Sequence, residues 1–129
     1  MKENKLVELS LDFSVDIINL VKFLKANHET IISNQIGRSG TSIGANIREA
    51  QYAHGKADFI AKLQIALKEC NESEYWLELL ANTQSLEPNK AEELLKDCRR
   101  FRFMLIRSIN TAKQNSSLTC AQRESSSHD

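Results

Sequence analysis

The sequence predicts an all-α protein: an antiparallel up-down-up-down four-helix bundle over residues 1–114, with a disordered Ser-rich tail over 115–129. Three observations predict it. Pro occurs once and Gly four times in 129 residues, where average usage gives about six and nine. So few turn formers argue against a sandwich or barrel of many short strands. Apolar residues recur every three or four positions through four long segments, the period of a helix face. Finally, 41% apolar and 26% charged residues in one short chain suit a single globular domain.

The first helix is expected from Ser10 to Ala26. Phe13, Ile17, Leu20, Val21 and Leu24 share one face, and Ser10 is the expected N-cap. The second runs from Ser33 to Tyr52. Ile36, Ile43, Ile47 and Ala50 share a face with Gly40, and the far side holds Arg38, Ser42, Ala45 and Glu49. Gly37, Gly40 and Gly44 each cost this helix up to about 1 kcal/mol relative to Ala. Close backbone approach is the expected compensation, from neighbours on more than one face, part of them in another subunit. Arg38, Gly40, Ser42, Gly44, Ala45 and Glu49 are therefore the candidate residues for helix packing and oligomer contact.

Gly55 breaks the pattern and suits a helix cap. The third helix, Lys56 to Ala81, carries a heptad seam of Phe59, Leu63, Ala66, Cys70, Ser73, Leu77 and Leu80. Pro88 suits the first turn of the fourth helix, which runs to Gln114. Its core positions read Ala91, Leu94 or Leu95, Cys98, Phe101, Leu105, Ile109 and Ala112. The tail from Asn115 to Asp129 has one strong apolar residue, Leu118, too little burial to offset ordering entropy.

Little in the chain points to catalysis. His28, His54 and His128 have no second His or Cys at metal spacing, and His54 beside Asp58 reads as a loop or cap. Glu69, Glu72, Glu74 and Glu78 crowd the third helix, but no Glu-x-x-His accompanies them, so a di-iron bundle site is not supported. The Gly-rich stretch from Gly37 to Gly44 lacks the phosphate-loop pattern, and its Ser and Thr have no His near them. No enzyme activity, cofactor or metal is expected. Cys70, Cys98 and Cys120 are odd in number and form no CxxC, which fits a reducing cytoplasm rather than a disulfide framework. No apolar run approaches a membrane span, and Met1 to Lys5 show no signal-peptide pattern, so no membrane partner is expected.

Charge leaves two readings open. Lys+Arg and Asp+Glu are 17 each, so the net charge is zero and gives no global support for nucleic-acid binding. The fourth helix is locally basic: Lys96, Arg99, Arg100, Arg102, Arg107 and Lys113 face only Asp97. Lys96, Arg99, Arg100 and Arg107 are the candidate nucleic-acid-binding residues. Alternatively, these cations meet Glu72 and Glu78 inside the bundle. Asn71, Ser73 and Glu74 near the seam read as hydrogen-bonded register markers, with an anion or ligand site as the alternative that spacing alone does not decide.

The run Arg38-Ser39-Gly40-Thr41-Ser42-Ile43-Gly44-Ala45-Asn46-Ile47-Arg48-Glu49-Ala50 is distinctive. With Lys56-Ala57-Asp58-Phe59-Ile60, Ala66-Leu67-Lys68-Glu69 and Glu74-Tyr75-Trp76-Leu77-Glu78-Leu79-Leu80, it closely resembles the bacterial family named for a protein encoded in intervening sequences of 23S ribosomal RNA genes. The resemblance covers roughly residues 6–114. It implies an antiparallel four-helix bundle that assembles as a homopentamer. It also implies kinship with the basic, nucleic-acid-binding accessory proteins of diversity-generating retroelements, and it implies no enzymatic activity. The reading is a cytoplasmic, non-enzymatic oligomer with an RNA- or nucleoprotein-associated accessory role. The alternative is a protein-interaction scaffold that binds no nucleic acid.

Overall fold

A computed structural model describes the backbone of residues 2–128 and the side chains of residues 5–115. Four helices follow in order: α1 (Lys2–Ala26), α2 (Ile31–Ala50), α3 (Lys56–Asn82) and α4 (Pro88–His128). The disordered tail expected over 115–129 falls, beyond Asn115, on residues whose side chains lie outside those described.

Helix α1 begins two turns earlier than its expected start at Ser10. Leu6, seven residues before Phe13, prolongs the apolar face and is buried. Ser10 is therefore not an N-cap but a buried residue inside the helix. Its hydroxyl donates to the carbonyl of Val7 at 2.9 Å, a bond that satisfies it locally. The other boundaries fall within two residues of expectation, except at the end of α4.

Two loops close by the same device. After α1, His28 takes a left-handed conformation (φ 66°). The Glu29 N–H reaches Leu24 O at 2.8 Å and the His28 N–H reaches Lys25 O at 3.1 Å. Gln84 (φ 58°) does likewise after α3, with Ser85 N–H on Leu80 O and Gln84 N–H on Ala81 O. Both are Schellman closures, so His28 is a capping residue. Gly55 is the N-cap of α3, and the His54 N–H donates to Asp58 Oδ2 at 3.4 Å. The His54–Asp58 pair is thus a cap contact through the backbone.

The core contains the expected seams. Leu63, Ala66, Cys70, Ser73, Leu77 and Leu80 of α3 are buried, and on α4 both Leu94 and Leu95 are. Gly37 lies against Val21, Gly40 against Ile17, and Gly44 against Ser10 and Ser14. Residue numbers fall along α1 as they rise along α2, so the two helices are antiparallel. Close approach of α1 in the same chain therefore compensates for the helix cost of Gly37, Gly40 and Gly44. Phe13 and Phe101 join α1 to α4 edge-to-face, centroids 5.4 Å apart.

Ser39 and Ser73 form a polar pin in this core. Both are fully buried, and the Ser73 hydroxyl donates to Ser39 Oγ at 2.9 Å, linking α3 to α2. Replacing either one alone by Ala strands its partner and costs about 1–3 kcal/mol, whereas the double Ala variant is nearly neutral. A urea-denaturation double-mutant cycle measures the difference, and strictly additive losses would refute the pairing.

Candidate nucleic-acid interface

Helix α4 turns Leu94, Cys98, Phe101, Leu105 and Ile109 inward. At about 100° per residue, Lys96, Arg100, Phe103 and Arg107 fall on the opposite side, with Arg99 at their edge. All five are exposed. Arg107 lies over the Phe103 ring, its guanidinium carbon 5.8 Å from the centroid. Arg99 Nη1 meets Glu92 Oε1 at 3.1 Å on the same helix, an exposed pair of little energetic weight. Lys96, Arg100 and Arg107 form no ion pair among the described residues.

The cations of the chain divide into an inner and an outer set. Arg102 turns toward α3 and meets Glu74 Oε1 at 2.7 Å. Arg38 of α2 holds Glu69 Oε2 at 3.0 Å and also pairs with Glu72, which accepts the Trp76 indole N–H at 3.2 Å. Internal neutralisation therefore runs through Arg38 and Arg102. The expected meeting of Arg99, Arg100 and Arg107 with Glu72 or Glu78 does not form, because those Arg side chains lie on the side of α4 away from the core. Three of the four crowded carboxylates of α3 are engaged by these Arg. Among the described residues no group of three His, Cys, Asp or Glu is placed to hold a metal ion.

The remaining candidate residues of α2 separate as well. Ser42 donates to Arg38 O at 2.7 Å, while Ala45 and Glu49 face outward. The sequence reading missed an apolar stripe on the outer face of α1: Leu11 (52% exposed), Val15 (53%) and Ile18 (44%). Its signal was their 4-then-3 spacing, hidden beside the stronger core face. Phe103, 62% exposed, was missed likewise.

Two thiols and one carboxyl complete the electrostatics. The Cys70 thiol donates to Cys98 O at 3.0 Å. The neighbouring Cys70 side chain and burial push the Cys98 thiol far above its usual range, so it stays protonated. Cys120 lies outside the described side chains. Burial, and then Asp16 of α1, hold the Asp97 carboxyl above the usual carboxylate range, with Glu93 adding to this and Arg100 and Lys90 opposing it. A raised folded pKa means the stabilising protonated form is lost as pH rises through that pKa. Asp97→Asn is therefore expected to raise the melting temperature at pH 7 and to leave it unchanged near about pH 3, where both states are protonated. Paired thermal melts check this, and an equal gain at both pH values would refute it.

The fold and this site define a helical bundle with a basic face on α4. Residues 2–107 match the family model of the 23S rRNA-intervening sequence protein, and the chain belongs to that family. It is similar to a crystal structure of a protein of unknown function from the S23 ribosomal protein family of Bacteroides thetaiotaomicron VPI-5482. The two share 51% identity and a TM-score of 0.83, over 85% of this chain and 99% of that one. Comparison with curated proteins gives no match. No helix among the described residues is long and apolar enough to cross a membrane.

Proposed function

We propose that the protein is a non-enzymatic, cytoplasmic, homo-oligomeric accessory factor that binds RNA or a nucleoprotein through the outer face of α4. One observation carries this reading: Lys96, Arg99, Arg100 and Arg107 share the exposed face of α4 with Phe103, and among the described residues Glu92 is the only carboxylate paired to any of them. Cations meet phosphates while an aromatic ring, and the Arg stacked on it, offer a platform for unstacked bases. The ribosomal names of the family and of its solved relative support RNA as the polyanion. The apolar stripe Leu11, Val15 and Ile18 supports self-association. A homopentamer repeats the basic face on every subunit, so weak single contacts add through multivalency.

The test is a salt titration of single-stranded RNA binding. Changing Lys96, Arg99, Arg100 and Arg107 together to Gln is expected to flatten the log–log salt slope by about 3, near 0.7 per cation removed. Absence of binding at low salt, or an unchanged slope, overturns the reading. The second reading, a protein-interaction scaffold, rests on the α1 stripe and the zero net charge. It predicts that the four changes leave oligomer mass intact while Leu11→Asp with Val15→Asp lowers it, with no RNA bound by either protein.

A further inference from the structure

At the end of the bundle where α1 starts and α2 passes into α3, a cavity of about 630 Å³ opens between α1 and α4. Its volume is that of a small-molecule site, roughly 300–1,000 Å³. Its lining is unusual in sign. Lys5 of α1, Lys56 of α3 and Arg107 of α4 line it from three helices, and no carboxylate lines it among the described residues. None of the three forms an ion pair among the described residues. The apolar wall includes Phe59, Phe103 and Met104. Gln51, Ser108 and Thr111 add groups able both to donate and to accept hydrogen bonds.

We propose that this cavity binds a small phosphomonoester carrying a heteroaromatic ring, a nucleoside monophosphate in chemical class. Three cations without a counter-carboxylate match a dianionic phosphate better than a single carboxylate. Two Phe rings and a Met suit a flat, polarisable ring, and the amide and hydroxyls suit its polar edge. A fatty acid needs one cation and a long apolar channel, and the polar groups in this lining do not provide that. Arg107 and Phe103 are shared with the α4 face, but Lys5, Lys56 and Gly55 are not, so the tests are made at residues outside that face.

Gly55 supplies a clean test. It lines the cavity as the N-cap of α3 with extended backbone that any residue adopts, and a Cβ there meets nothing within 4 Å. Asp at an N-cap is at least as good as Gly for the helix, but here it places a negative charge among the three cations. Calorimetric titration of the full chain uses adenosine 5′-monophosphate, adenosine and inorganic phosphate as probes. The monophosphate is expected to bind at least about tenfold more tightly than either half, and Lys56→Gln to weaken it by about tenfold, the loss of one charge-assisted hydrogen bond. Gly55→Asp is expected to abolish binding while keeping or raising the melting temperature. No heat from the monophosphate, equal binding of adenosine or of inorganic phosphate, or unchanged affinity in Gly55→Asp each overturns the proposal. The RNA salt slope, set by Lys96, Arg99, Arg100 and Arg107, is measured separately, so the two ideas fail independently.

Discussion

Gly40→Leu is expected to abolish the cooperative unfolding transition, and Gly40→Ala to destabilise the protein by about 1–3 kcal/mol, as overpacking does. A Cβ at Gly40 lies 2.8 Å from Ile17 Cγ1 and 2.9 Å from its Cγ2. Ile17 is fully buried, and these atoms move only by rotation about χ1, which a helix largely restricts to one rotamer for a β-branched side chain. Helix α1 must move away from α2. Helix propensity favours Ala over Gly by up to about 1 kcal/mol, so the clash has to exceed that gain. The neighbouring glycines give a built-in control. At Gly37 the nearest atom is Val21 Cγ2 at 3.2 Å, on a side chain only half-buried and better able to yield. Gly37→Ala is therefore expected to be close to neutral. Urea denaturation followed by circular dichroism ranks the variants, and a Gly40→Ala protein more stable than the parent would refute the packing account.

Phe13→Ala is expected to cost about 3–5 kcal/mol, the range for removing a buried aromatic ring. Phe13 is 2% exposed and meets Phe101 edge-to-face at an interplanar angle of 70°. Helices α1 and α4 touch more sparsely than the sequential helix pairs, and this ring pair is a principal tie between them. Loss of the ring leaves a cavity that the long helices cannot close without tilting. Phe13→Leu and Phe101→Leu, alone and together, isolate the ring–ring component, expected at about 0.5–1.5 kcal/mol. Thermal unfolding checks both, and additive behaviour of the two Leu variants would remove the aromatic contribution.

These two residues also mark what periodicity could and could not reveal. Phe13 was legible as core because Ile17, Leu20 and Leu24 repeat its face. The α3 seam was legible for the same reason, down to Ser73, a polar residue on an apolar register. The glycines were legible as a close approach, but periodicity describes one helix at a time. It shows that α2 is thin near Gly40 and Gly44 and does not say whether α1 or another subunit fills the space. Ser10 misled because a Ser ahead of an apolar run resembles a cap, and only Leu6 showed that the run had already begun. The basic helix was legible as a stripe, yet its division depended on direction. Arg102 turns to Glu74, whereas Arg99 and Arg107 point away, a difference fixed by their angular positions once the core face of α4 is set. The cavity lay beyond reach of sequence reasoning, since it arises where the ends of three helices and a loop approach one stretch of α4.

The pairing of Arg38 and Arg102 with the α3 carboxylates has a consequence for how the whole molecule behaves toward charged matrices. A pI near 6.8 describes an average. Because those acids are already engaged by Arg38 and Arg102, the cations left on the outer face of α4 have few neighbouring counter-charges, and the electrostatic potential is uneven around the bundle. At the pH of zero net charge the protein is still expected to be retained by an immobilised polyanion such as heparin, and orientation on the matrix, rather than total charge, governs its elution.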